Sequence, residues 1–462
     1  MKPVVERISE FLHAFLGKSS QTETTAIVLR PGQILQGRVL EINGNRVVLL
    51  VNGVNITAEL KTSAAAGDRL LLYVEEQKPD GTVILKKIDA EMSGGIIEGG
   101  KAEALLNHFG IKVGRLNTAL FEKMLQRGIS FSASDISMLE AFMIKNSLTE
   151  EHVPAVLWLW SRNLPLSKEA VEAVHSFLKG QGFINAEIAK QLFEGSSLPS
   201  SVKQEPSSLI NLLRNVFFKE DESSGQIAQK LSNLANNLGL KHEREILERA
   251  VLDKSGEFQV RDYSNIKNLS AREDPLKSLS IKWEILRLLH SSLSGKEAGD
   301  ILMPKESLKE LLNDITALQL LNLSGQQDSG GSSLFLQGWF LNFEGELSPF
   351  FLKLKKFEAE KGGEGDVSCQ VLFFITTKHL GKLMCRLALE KGHMTCAFTV
   401  EKEKYREIID DNIALLENKL NVLPWKLIFL STRVSSHELK ENFEKEILEA
   451  GTLKTNSLDL RV

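Results

Sequence analysis

Gln33-Ile-Leu-Gln-Gly-Arg-Val-Leu-Glu-Ile-Asn-Gly-Asn-Arg-Val-Val-Leu-Leu-Val51 is dense in β-formers on both sides of an Asn43-Gly44-Asn45 interruption. Such a pair of apolar runs around an Asn-Gly turn reads as a β-hairpin. Asn52-Gly53 repeats the turn chemistry before Val54–Leu60, which alternates apolar and polar residues. Gly67-Asp68 then leads into Arg69–Val74, and Pro79-Asp80-Gly81 into Thr82–Ile88. Five short strands with tight turns predict a small barrel over 29–91, OB-like or SH3-like, because closing the sheet removes its edges.

Barrels of this size often hold oligonucleotides, in a basic groove with aromatic platforms. Here Tyr73 is the only aromatic on a strand, and the charges of the segment nearly balance. Protein binding or scaffolding is therefore the leading expectation for the barrel, and nucleic-acid binding the alternative. Upstream, Ile8, Phe11, Leu12, Phe15 and Leu16 recur at helical spacing among Glu6, Arg7 and Glu10. This predicts an amphipathic helix and linker over 1–28 rather than a signal peptide, which would show an unbroken apolar run.

Downstream, Met92–Gly100 is glycine-rich and reads as a hinge. Helical periodicity then takes over across 101–323. Leu120, Phe121, Met124 and Leu125 form one apolar face, and Ile136, Leu139, Phe142 and Met143 another. Ser132 with Asp135 three residues on, Thr149 and Ser167 stand as N-caps. Arg127-Gly-Ile-Ser-Phe-Ser132 is answered by Arg162-Asn-Leu-Pro-Leu-Ser167, two turns that each deliver a serine cap. Trp158 and Trp160 read as core and boundary residues. Further helices are expected at Leu209–Phe218, Gly225–Leu238, His242–Leu252, Ser280–Leu293 and Lys305–Leu323, with Asp253–Asp274 irregular. The glycine- and serine-rich stretch 324–333 is a flexible linker by composition.

The totals agree with several folded parts. A chain of 462 residues suggests about three domains. Its formal net charge of −4 lacks the basic footprint of a dedicated nucleic-acid binder. Cys369, Cys385 and Cys396 fit neither a disulfide framework nor a zinc site, so they read as small buried hydrophobes in a reducing, cytoplasmic setting. No stretch approaches the ~18–20 apolar residues of a membrane span, and no direct membrane insertion is expected.

Strands return in 334–462. Leu334–Phe343, Phe350–Lys356 and Val367–Thr376 are followed by a hairpin of Leu383–Leu389 and Met394–Val400 around Lys391-Gly392. A single helix then opens at Glu401 and Glu403. Tyr405, Ile409, Ile413, Leu416 and Leu420 line its inner face, with Ile408 and Leu415 on the flank. Trp425–Val434 is a strand, and Ser435 with Glu438 caps a last helix. The expected fold class is thus multi-domain α+β: a small N-terminal β-barrel, a central all-α helical domain, and a C-terminal α+β domain with a mixed sheet and two helices.

The segment Thr377-Lys-His-Leu-Gly-Lys-Leu383, the hairpin after it, Leu415-Leu-Glu-Asn-Lys-Leu420 and the closing Leu458-Asp-Leu-Arg-Val462 resemble the C-terminal domain of flagellar hook-length control proteins. The resemblance covers about the last hundred residues. It implies a contact with the cytoplasmic domain of the flagellar export-gate membrane protein, which switches export from rod and hook subunits to filament subunits. Hook or hook-cap proteins are further implied partners. Carried over by position, the candidate partner-binding residues are Leu380, Gly381, Leu383, Leu387, Leu416 and Leu420. Members of that family have an extended, exported front half, whereas this front reads as folded, so length measurement is in doubt for this chain.

No catalytic signature stands out. His-Glu-x-x-His, Gly-x-Ser-x-Gly, Walker and Gly-x-Gly-x-x-Gly motifs are all missing from the sequence. His379 and His393 could approach across the C-terminal sheet beside Cys385 and Cys396, but apolar strands argue against a metal site. Asp410-Asp411 reads as a solvated pair, and Lys353-Leu-Lys-Lys356 as a charged sheet edge that discourages pairing. The expectation is a non-enzymatic, protein-binding chain that needs no cofactor or metal.

Overall fold

The computed structural model describes residues 29–51, 54–78, 82–88, 92–93, 96–97, 101–179, 189–190, 212–238, 281–293, 304–324, 332–342, 344–357, 368–390, 392–421, 425–436 and 439. The chain has an N-terminal five-stranded barrel, helices in the middle and a C-terminal mixed sheet with two helices, a multi-domain α+β arrangement. It falls into two compact units, one built from Gln21–His175 and the other from Ser176–Ala450. The helices grouped over 101–323 by sequence are divided between these units. The expected N-terminal helix, the His242–Leu252 helix, the Asp253–Asp274 stretch and most of the 324–333 linker lie outside the described residues.

In the first unit, β1 (Gln33–Asn43), β2 (Arg46–Val51), β3 (Val54–Leu60), β4 (Arg69–Gln77) and β5 (Val83–Ile88) close on themselves. β1 pairs with both β2 and β4, and β3 runs parallel to β5, so the ring reads β1-β2-β3-β5-β4. That is the OB-like alternative of the two barrels expected. Asn43 pairs with Arg46 across the first turn, where Gly44 takes φ +64°. Bulges at Val39/Glu41 and Val74/Glu76 add the local bend a closed barrel needs. Leu35, Val39, Leu49, Val51, Leu72, Val74 and Leu85 fill the interior. Met92 and Ser93 (β6) pair with Ile97 and Ile96 (β7) inside the expected hinge.

The barrel's outer wall meets helices. Gln36 Nε2 donates to the Leu125 carbonyl at 2.7 Å. The two-residue strand β8 (Phe131–Ser132) pairs with Gln33 and Ile34 of β1. The helices here are α1 (Lys101–His108), α2 (Arg115–Gln126), α3 (Ala133–Lys145), α4 (Val153–Trp160) and α5 (Lys168–Leu178). Leu120, Phe121, Met124 and Leu125 of α2 and Ile136, Leu139 and Met143 of α3 are buried, as their spacing predicts. The repeated turn is realised in backbone geometry. Gly128 (φ +66°) and Asn163 (φ +52°) both end a helix in the left-handed region. Ile129 N–H then bonds Met124 O, and Leu164 N–H bonds Leu159 O. This is a Schellman closure in both copies. Ser132 forms a full capping box with Asp135, and Ser167 Oγ accepts from Ala170 N–H at 3.1 Å. Trp158 is buried with the Arg162 guanidinium 4.4 Å from its ring centre, and Trp160 is half-buried.

The second unit holds β9 (Phe217–Lys219), α6 (Ser224–Asn237), α7 (Ile281–Leu293), α8 (Lys305–Ser324), β10 (Ser332–Leu341), β11 (Leu347–Phe357), β12 (Ser368–Thr377), β13 (Gly381–Glu390), β14 (His393–Val400), α9 (Glu403–Asp411), α10 (Ile413–Leu420) and β15 (Lys426–Val434). Its sheet runs β15-β14-β13-β12-β11-β10-β9, antiparallel except for the β9–β10 and β14–β15 pairs. Three expectations are corrected here. Phe217 and Phe218, the end of the expected Leu209–Phe218 helix, lie instead on strand β9, because pairing beside β10 buries both aromatic rings. Lys353-Leu-Lys-Lys356 lies on β11, an interior strand, so it guards no edge. Lys353 is buried, with its Nζ 5.2 Å from the centre of the Phe335 ring. The helix expected to run unbroken through Leu420 stops at Asn412 (φ −104°, ψ 8°), whose side-chain amide donates to the Ile408 carbonyl at 2.8 Å.

Candidate functional site

Strand alternation sorts the C-terminal side chains onto two faces. One face carries an aromatic row, Phe335–Phe351–Phe374, with ring centres 5.8 and 6.2 Å apart. Leu372, Met384 and Leu439 pack together on that side. The α8 residue Asn322 bonds both backbone groups of Phe335, accepting from its N–H and donating to its carbonyl. The other face carries Phe218–Phe350–Phe373, at 5.2 and 5.5 Å.

Beyond Phe350 this second face changes character. Register places Ile375, Leu383 and Val400 in one row, Phe373, Cys385 and Phe398 in the next, and Val371, Leu387 and Cys396 in a third. Val400 and Cys396 are buried, but Val371, Phe373, Ile375, Leu383, Cys385, Leu387 and Phe398 are only half-buried. An apolar strip across the middle of a sheet, left partly open, is the kind of surface that marks a contact site.

The sequence-nominated residues separate into three groups. Leu383 and Leu387 lie on this strip. Leu416 and Leu420 share one side of α10, and none of that helix is buried. Leu380 and Gly381 shape the turn into β13. The Leu380 N–H bonds Thr377 Oγ1 at 3.0 Å, and Gly381 has φ +60°. A Cβ at Gly381 would lie 2.9 Å from both Glu401 Oε2 and the Tyr405 ring. Gly381→Ala should therefore destabilise the domain by about 1–2 kcal/mol in urea titrations. An unchanged midpoint would show that the turn tolerates a side chain. Lost binding in that variant would report the turn, not a contact.

The sequence predicts the strand at the sheet's end, Trp425–Val434, but its residues were not among the nominated contacts. Ile428 and Phe429 of β15 are each 56% exposed although they are consecutive, so neither face of the strand is covered there. Among the described residues β15 is the sheet's edge. Leu427–Leu430 is an uncharged apolar run, and it was the signal available for such an edge. Ile408 of α9 and Leu415 of α10 are also exposed, at 45% and 57%.

Among the titratable groups nearby, Glu344, Glu346 and His379 bring their polar atoms within 4.8 Å of one another. His379 lies in the turn before β13 and His393 opens β14 at the far end of β13, so they do not approach each other. His379 instead lies 3.8 Å from Glu344, and Lys378 binds Glu346 at 2.5 Å. The hydrogen bond from Lys378 holds the Glu346 carboxyl below its ordinary range. Asp410 takes an ion pair with Arg406 at 3.6 Å, and both Asp410 and Asp411 are exposed. Cys369, Cys385 and Cys396 are free thiols. Burial pushes Cys369 up to about 11. The Cys385 and Cys396 sulfurs are 3.6 Å apart, and their hydrogen bond raises Cys385 while lowering Cys396.

On the barrel, the outward residues of β2 and β3 are Arg46, Val48 and Leu50 opposite Glu59, Thr57 and Asn55. None is aromatic, and a platform for stacked bases is missing from these two strands. Among the described residues no helix is long and apolar enough to cross a membrane. No curated protein matches the chain. Over residues 12–86 the chain matches the family model of the TP0910 S1-like domain, which makes its N-terminal barrel S1-like.

Proposed function

We propose that this chain is a non-enzymatic, protein-binding component of bacterial flagellar assembly that docks the cytoplasmic domain of the export-gate membrane protein. The docking surface is the open strip of the C-terminal sheet, continued by β15. The observation that carries the docking role is the half-open apolar strip around Leu383, Cys385, Leu387 and Phe398. The identity of the partner rests on the resemblance of Thr377–Leu420 to hook-length control proteins, and hook or hook-cap proteins stand as secondary partners.

Titration calorimetry of the full chain against the soluble domain of the same organism's export-gate protein tests this. Saturable binding is expected, in the range of about 1 μM. Leu383→Ser and Leu387→Ser should each weaken it roughly tenfold, as truncating an apolar anchor costs about 1–2 kcal/mol. Absence of binding at about 1 mM with folded protein would remove the partner assignment.

The S1-like match favours a second reading, nucleic-acid binding through the barrel. Salt separates the two readings. Affinity for phosphates falls steeply as salt rises, whereas an apolar protein interface is far less sensitive.

A further inference from the structure

β4, β5 and the start of β1 form one wall of a cleft whose other wall is the end of α1 and the start of α3. The cleft encloses about 460 Å³, within the range of roughly 300–1,000 Å³ typical of small-ligand sites. At its centre Tyr73 and Phe109 stack with ring centres 5.9 Å apart and planes 24° from parallel. Both rings are half-buried, so part of each stays open to solvent. His108 meets the Phe109 ring edge-on at 5.2 Å.

The charge around this aromatic pair is positive. Lys86 lies directly opposite Tyr73 in the β4–β5 register and is exposed, whereas Lys87, opposite the buried Leu72, alternates to the other face of β5. Glu75, the carboxylate lining the cleft, is ion-paired with Lys61 at 2.5 Å. Ala133 and Ser134 bring the first turn of α3 to the rim, where the Asp135 carboxylate already caps the helix end through Ser132. Flat rings beside an exposed ammonium group suit a ligand with a planar base and an adjacent phosphate.

We infer that this cleft binds a nucleotide, with the base stacked against Tyr73 and Phe109 and the phosphate at Lys86. The inference rests on the second reading above and moves the contact away from the β2–β3 surface, which offers no aromatic ring. The same chemistry has two sources, a free nucleotide or one residue of a single strand.

The test uses the full chain with two probes, adenosine monophosphate and a short fluorescent single-stranded RNA, at low salt. Tyr73→Leu and Lys86→Gln are each expected to weaken binding about tenfold, while Tyr73→Phe keeps it. Arg46→Gln, on the outer face of β2, should leave it unchanged. Binding of the monophosphate as tight as that of the RNA identifies a free nucleotide. Binding of the RNA alone identifies a strand. If Arg46→Gln weakens RNA binding and the cleft variants do not, the cleft assignment fails and the barrel reading survives. If neither probe binds at about 1 mM, both fail.

Discussion

Asparagine in place of Asp314 is expected to stabilise the second unit by about 5 kcal/mol at pH 8 and to change it little at pH 4. Asp314 sits on α8 with 3% of its surface exposed, between the buried Leu311, Ile315 and Leu318. Burial, and then the like charge of Glu310, raise its carboxyl to about 8 from a reference of 3.8. Between those two values the folded chain holds a proton that the unfolded chain has released. Stability therefore falls as pH rises through this window and levels off above about 8. Asparagine has the same shape and no proton to lose, so urea titrations across pH 4–8 should lose that slope. An unchanged slope in Asp314→Asn would show that the carboxyl is already charged and solvated at neutral pH.

Alanine at Gly338 should cost about 3 kcal/mol, the upper end of ordinary overpacking. A Cβ there would sit 2.7 Å from the Val216 carbonyl oxygen and 2.8 Å from the nearest atom of the Phe350 ring. The ring can turn aside, but the carbonyl belongs to backbone. It sits immediately before β9, which pairs with β10 through Trp339 and Phe217. Relief would require β9 to move off the sheet. Hydrogen exchange should accordingly accelerate in Phe217–Lys219 and Trp339–Leu341, and barely change in the barrel. Gly114→Ala is the control: its new Cβ would meet nothing within 4 Å at φ −170°, and the expected loss stays below about 1 kcal/mol. Equal losses in the two variants would mean that glycine's chain entropy, and not the close approach, sets the cost.

Local chemistry made much of this fold legible. Asn43-Gly44-Asn45 announced its hairpin, and Ser132 with Asp135 announced the start of α3, because each acts within a few residues. The two helix closures at Gly128 and Asn163 were visible as a repeated phrase for the same reason. Long-range pairing was hidden. Phe217-Phe218 reads as helix or strand with equal ease, and only β10 decides between them. Lys353 reads as solvent-seeking, and only the neighbours of β11 show that its stem is enclosed and its ammonium lies over Phe335. The nominated contact residues show the same divide. The alternation of Leu383 and Leu387 correctly put them on one face, but nothing in their spacing told which face would stay open. Phe109 joins Tyr73 from the turn after α1, beyond a glycine-rich stretch, so a search for aromatics along strands alone passes it by.

The parallel β9–β10 pair also sets a timetable for synthesis. Phe217–Lys219 leaves the ribosome well ahead of Ser332–Leu341, its only strand partner among the described residues. At about 5–20 residues per second, the wait is on the order of ten seconds. During it two adjacent phenylalanines have no strand to pair with, a stretch that a holding chaperone would recognise. The same pair also means that a gene fragment beginning at β10 would encode a sheet lacking its last strand.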